Sequence, residues 1–169
     1  KGHYIYKGQL LAFDVRRETI KVAGGDDVVL DVRSTGHGVV LSDVDERLKD
    51  GPVLSFRWTT TAEVDLALEP FLHIDVATNF DEFKAAFVNY GSPSQNFIYA
   101  DVDGHIGYVL PGLMPVRSDA GAAGRTGERV RDGTSGDDEW LGYVPRDELP
   151  WQLDPDAGHS SFRISAATV

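Results

Sequence analysis

Asp101 and Asp103 stand two residues apart just before Gly104, a spacing that could offer two carboxylates to a divalent cation. A calcium loop of the EF-hand kind needs a third oxygen ligand two residues further on and a glutamate at its end. His105 and Gly107 follow instead, and a hairpin accounts for both carboxylates without a metal. The five histidines, His3, His37, His73, His105 and His159, form neither an HExxH motif nor an i, i+4 pair that would suit zinc. With no cysteine, thiol nucleophiles, disulfides and cysteine-ligated zinc are excluded. No Gly-x-Ser-x-Gly elbow presents a serine. Gly121, Gly124 and Gly127 miss both the GxGxxG and the P-loop spacing. The acidic run Asp137-Asp138-Glu139 reads as a solvated one. Residue chemistry alone therefore nominates no catalytic residue and no metal ligand.

Composition narrows the class. At 41% hydrophobic and 25% charged residues the chain is globular, neither disordered nor fibrous. A net charge of -11 argues against nucleic-acid or anionic-membrane partners. No apolar run is long enough to span a bilayer as a helix, and no cationic-then-apolar leader is visible. Met114 is the only methionine, and strand-like sequence follows Lys1 almost at once. That opening leads us to expect a piece of a longer or processed protein.

The elements that would position any site are mostly strands. His3 to Tyr6 and Gln9 to Val15 read as strands joined by Lys7-Gly8, and Glu18 to Ala23 alternates before the turn cluster Gly24-Gly25-Asp26-Asp27. Val28 to Arg33, His37 to Ser42 and Val53 to Thr59 continue the pattern. Ala62 to Ala77 is helical in character, with Pro70 expected to kink or divide it. Asn79 with Glu82 makes a capping pair, and Phe80, Phe83, Ala86, Phe87 and Tyr90 then fall on one helical face, with Gly91 as the stop. That stripe reads as a core face.

Two β-rich runs flank Asp103-Gly104, a strong short-range hairpin signal, and a tight primed turn is expected there. Residues 117–139 form a long polar loop, order resumes with Trp140, Tyr143, Val144 and Trp151, and residues 160–169 are an irregular tail. No internal repeat or domain boundary stands out. The expected class is α+β, mainly antiparallel, with about eight strands and two helices.

Several blocks, in order, resemble the β chain of the penicillin acylase family. They are Glu18-Thr19-Ile20-Lys21-Val22, Thr35-Gly36-His37-Gly38, Phe56-Arg57-Trp58-Thr59 and Asn79-Phe80-Asp81-Glu82-Phe83. PSQNFIYADVDGHIGYVLPG at residues 93–112 is the fullest match, followed by Met114 to Arg117, Asp138 to Pro145 and Asp154-Pro155-Asp156-Ala157-Gly158. The resemblance covers nearly the whole chain up to Gly158.

The resemblance implies a piece of an N-terminal-nucleophile αββα sandwich and hydrolysis of an N-acyl bond, as in β-lactams or acyl-homoserine lactones. In that family a serine at the start of the β chain attacks the acyl carbonyl. Its own α-amino group, which titrates near neutrality, serves as base, and backbone and asparagine donors stabilise the oxyanion.

Here Lys1 falls downstream of where that serine belongs, and His159 to Ala167 replace the segment carrying the asparagine. The segment is accordingly expected to be catalytically incomplete, with the rest of the α and β chains of the same precursor as its partner. Trp58 matches a tryptophan that lines the acyl pocket, although a tryptophan there equally suits core packing. Gln95 falls at another pocket position. His105 stands where most relatives have asparagine, in the turn, where either type tolerates positive φ.

No cofactor is expected, and the family's calcium-binding residues would lie mostly upstream. The resemblance implies a periplasmic or secreted protein, and an exposed sheet face admits homo-oligomers. The rival reading is a non-catalytic extracellular β-rich binding module built from the same blocks.

Overall fold

The computed structural model describes residues 2–61, 67–118 and 129–155. Residues 62–66 of the expected first helix, residues 119–128 of the expected loop, Asp156 to Gly158, His159 and the 160–169 tail lie outside the described residues. Two compact units result, residues 1–58 with 130–138, and residues 59–129 with 139–169.

The first unit is built on antiparallel strands. Strands β1 (His3–Tyr6) and β2 (Gln9–Ala12) form a hairpin with Tyr6 opposite Gln9. Its two turn residues, Lys7 and Gly8, have φ of 48° and 73°. Positive φ at both positions is the primed geometry whose twist suits a two-residue hairpin.

A four-stranded sheet follows in the order β3 (Asp14–Ile20), β4 (Val28–Thr35), β5 (Gly38–Val40), β6 (Ser55–Phe56). The expected strand from Gln9 to Val15 is thus divided at Phe13 between two sheets. Arg17 faces Asp31 across β3 and β4 and binds it through two nitrogens at 2.8 and 3.2 Å. That pairing helps set the register, although the pair is solvated and adds little stability.

The acidic run is less solvated than its composition suggests. Arg131 donates to Asp138 at 2.9 Å, and both side chains are largely covered. Covering one carboxylate of a run demands a partner of opposite charge, which Arg131 supplies.

In the second unit, helix α1 (Glu69–Ile74) begins where Pro70 sits at its first turn. Proline lacks the N–H that would be unpaired there anyway, so Pro70 starts this helix and does not kink it. Helix α2 (Phe80–Ala86) is capped as expected, with the Asn79 side chain accepting from Glu82 N at 2.9 Å. Glu82 reaches back to Thr78, accepting from its N–H at 2.8 Å and its hydroxyl at 2.9 Å. These bonds hold the Glu82 carboxyl below its usual range, led by the Thr78 backbone N–H.

The helix closes before Gly91. Residues 87–90 tighten into i to i+3 turns, and Arg146 Nη1 donates to the carbonyls of Phe87 at 3.2 Å and Tyr90 at 3.4 Å, the first of which also accepts from Tyr90 N at 3.0 Å.

Strands β7 (Phe97–Ala100) and β8 (Ile106–Val109) form a hairpin. The pair β9 (Pro115–Arg117) and β10 (Trp140–Tyr143) follows, and β11 (Trp151–Leu153) then adds to β8. All pairings described are antiparallel, and eleven strands and two α-helices are present among the described residues.

The core of this unit is aromatic. Phe87 is fully buried, with its ring centroid 4.4 Å from Phe97, 5.3 Å from Phe83 and 5.8 Å from Tyr90. Phe80 and Phe83 stand 5.4 and 5.2 Å from Tyr99. The stripe on α2 is therefore the core face its spacing implies, laid on the inward residues Phe97, Tyr99 and Val109 of the sheet. Tilted and edge-on contacts at these separations add to the area they bury. Ile98 and Ile106 on the opposite face remain 74% and 53% exposed.

Replacing Phe87 with alanine should destabilise the unit by about 3 to 5 kcal/mol, the range for emptying a packed phenylalanine site. Ile98→Ala should change stability by less than about 0.5 kcal/mol. Urea denaturation of both variants checks the contrast, and equal midpoints would refute the assignment of the core.

Candidate substrate-binding site

Ala100 and Ile106 are the last strand pair of β7 and β8, and of the five residues between them Asp101 and His105 are bonded to each other, leaving a three-residue loop of Val102, Asp103 and Gly104. Asp101 N donates to His105 O at 3.1 Å, and Gly104 N donates to Asp101 O at 3.3 Å. Gly104 has φ of 92°, whereas the non-glycine residues of positive φ among those described are Lys7 and Asp154. The expected primed turn at Asp103-Gly104 is therefore replaced by a loop with a single left-handed glycine, and His105 does not use positive φ. The extra residue relieves Asp103 of the strain that a primed turn would impose.

Asp101 organises this turn. Its carboxylate accepts from Tyr99 Oη at 2.8 Å and from the backbone N–H groups of Asp103 and His105, each at 3.0 Å. Desolvation, the largest single influence, pushes its pKa up, but those bonds and His105 together hold it below the usual range. Tyr99 is pushed up to about 12, first by desolvation and then by the Asp101 carboxylate. Among the described residues, no group of three or more metal-ligating side chains is arranged around a common point.

Asp154, at φ of 47°, closes the other side. One of its oxygens accepts from Ile106 N at 2.9 Å and the other meets His105 Nδ1 at 2.6 Å, while its own N–H donates to Ile106 O at 2.7 Å. The side-chain bond to Asp154 raises the His105 pKa above its ordinary value. The backbone N–H of Ile106, followed by His105, lowers that of Asp154. Sequence reading missed Asp154. It stood only in the Asp154 to Gly158 block, where Asp154-Pro155 marks a turn without naming a partner.

Trp58 lies just after β6 in the first unit, 47% exposed, its ring centroid 6.1 Å from that of Phe56. Gln95 belongs to the second unit, exposed on the extended stretch before β7. Among the described residues, the Gln95 side chain has no hydrogen-bond partner. Two depressions of about 340 and 260 Å3 open in the second unit, one between α1 and α2 and the other beside the β7–β8 turn. Neither Trp58 nor Gln95 lines them.

A family model described as penicillin amidase matches residues 1–161. The chain belongs to the penicillin amidase family. It is 30% identical over 143 residues to the penicillin acylase 2 proenzyme of Pseudomonas sp. (strain SE83), covering 85% of this chain and 17% of that protein. It is 28% identical over 158 residues to the penicillin G acylase of Escherichia coli, covering 94% of this chain and 18% of that one. Among solved structures, the thermostable penicillin G acylase from Alcaligenes faecalis matches with a TM-score of 0.73 and 29% identity, over 92% of this chain and 26% of its own. This penicillin amidase family chain therefore spans well under a third of the length of each of these relatives. The mainly antiparallel α+β architecture agrees with the resemblance read from the sequence blocks.

Two outcomes follow from this geometry. Because the folded pKa of His105 is raised, its stabilisation is complete below the unfolded value of about 6.5 and disappears as pH rises through the folded one. Asp154 acts in the opposite sense, losing its contribution as pH falls through its lowered folded value. Thermal melts should show the difference between the native chain and His105→Asn shrinking as pH rises above about 6.5. A constant difference would refute the ion pair. Gln95→Ala should leave the melting temperature within about 2 °C, since no side-chain hydrogen bond among the described residues is lost; a larger drop would assign it a structural role.

Proposed function

We propose that this chain serves an amide hydrolase of the N-terminal-nucleophile type by shaping acyl-group selectivity through Trp58 and Gln95. The observation that carries the reading is the family match over residues 1–161, together with the small share of each relative that the chain spans. Under this reading the serine nucleophile and the oxyanion donors stand on polypeptide outside the stretch shared with those relatives. The substrate is an N-acyl compound of the β-lactam or acyl-homoserine lactone kind.

The chemistry of the two side chains suits those roles. An exposed indole beside Phe56 offers a flat apolar wall for an acyl group. A carboxamide with no hydrogen-bond partner among the described residues can donate to or accept from an amide. The exposed Ile98 and Ile106 face of β7 and β8 supports cover by further polypeptide of the same precursor. No step of the reading calls on a metal or cofactor.

The test is a chromogenic phenylacetyl anilide offered to this chain, with phenylacetate binding followed by tryptophan fluorescence. We expect no chromophore release, and a saturable fluorescence change that Trp58→Leu abolishes. Turnover by the chain alone would overturn the placement of the nucleophile, and an unchanged titration in Trp58→Leu would overturn the role of Trp58.

A further inference from the structure

Ser92 is the buried polar residue among those described, at 1% exposure. Thr59 Oγ1 donates to its hydroxyl at 3.3 Å, and Thr60 Oγ1 shares a hydrogen bond with the same oxygen. Thr59 to Thr61 form the short helical turn directly after Trp58, and Ser92 opens the loop that carries Gln95. All three hydroxyls lie within the second unit.

The rest of that loop is anchored on both sides of Gln95. Leu113 N donates to Gly91 O at 2.7 Å, and Tyr90 Oη donates to Pro93 O at 2.7 Å. Ser94 packs so closely on Gly112 that a Cβ there would stand 2.9 Å from Ser94 Cα. Tyr108 Oη donates to Asn96 Oδ1 at 2.5 Å. Gln95 is the exception, an exposed carboxamide on a backbone held from either end. A group presented in this way binds without first having its backbone ordered.

Resting on the reading of Trp58 and Gln95 as acyl-binding residues, we propose that Ser92 is a positioning residue for substrate binding. Its buried hydroxyl ties the loop of Gln95 to the turn that follows Trp58. A hydroxyl is suited to this because one oxygen can accept from one threonine while exchanging a proton with the other. An alanine would strand both threonine hydroxyls in a partly covered place and release the loop at its start.

The test compares Ser92→Ala with the double variant Thr59→Val, Thr60→Val, which removes the same bonds from the opposite side without altering the loop. Amide hydrogen exchange at residues 94–97 and the dissociation constant for phenylacetate are measured in each. Both variants should speed exchange at these amides and weaken phenylacetate binding, each by roughly fivefold to tenfold, the scale of one net hydrogen bond. Exchange in the β3–β4 hairpin of the first unit should stay unchanged. Unaltered exchange at 94–97, acceleration spread evenly through the chain, or undiminished affinity with a loosened loop would each overturn the proposal. A native chain that binds no phenylacetate while the variants still loosen the loop would overturn the pocket reading, and would reduce Ser92 to scaffold.

Discussion

Phe87 has aromatic rings on several sides, with Phe83 and Tyr90 from its own helical stretch and Phe97 from the sheet. Such a cluster cannot form until α2 lies flat across β7 and β8, so helix placement and hairpin position are one event energetically. The elements involved are short: α2 has seven residues and β7 and β8 four each. Elements of that length are marginal alone, and packing of the aromatic face supplies what local propensity does not. Arg146 completes the arrangement by donating to the carbonyls of Phe87 and Tyr90 where the helix tightens.

Around this core the polar groups are spent largely on holding turns. Asp101 closes the β7–β8 loop from within, Asp154 clamps its far side to β11, and Ser92 fixes the approach to β7. Each of these side chains has its bonding capacity taken up by the fold. Gln95 lies between the anchored residues Ser94 and Asn96 and keeps its own capacity open. That difference gives a physical reason to look to Gln95, and not to the more numerous carboxylates, for recognition of a ligand. Of the carboxylate pair that first suggested a cation, Asp101 is occupied by Tyr99 and by backbone donors at the turn.

Membership of the penicillin amidase family gives this division of labour a context. The chain spans 17% and 18% of two acylase relatives, so it shares only a part of their length. Walls and loops of a binding site can be preorganised by local packing, whereas a nucleophile and its oxyanion donors must converge from wherever the full fold brings them.

Much of the architecture was legible in the residues themselves. The spacing of Phe80, Phe83, Phe87 and Tyr90 determined which face of α2 would be covered, and Asn79 with Glu82 located its start. Such signals are local, set by the 3.6-residue period and by unpaired N–H groups at a helix end. Pro70 marked a kink or a division because proline breaks a helix interior but suits its first turn, and only the observed start of α1 places it in a first turn. The glycine of Asp103-Gly104 marked a turn without giving its length, since the same dipeptide serves a two-residue or a three-residue loop. That choice was made by strand pairing. The joining of Ser92 to Thr59 and Thr60, or of His105 to Asp154, depends on residues more than 30 positions apart. No periodicity or motif encodes such a meeting, and it exists because the packed core brings those backbones within reach of a hydrogen bond.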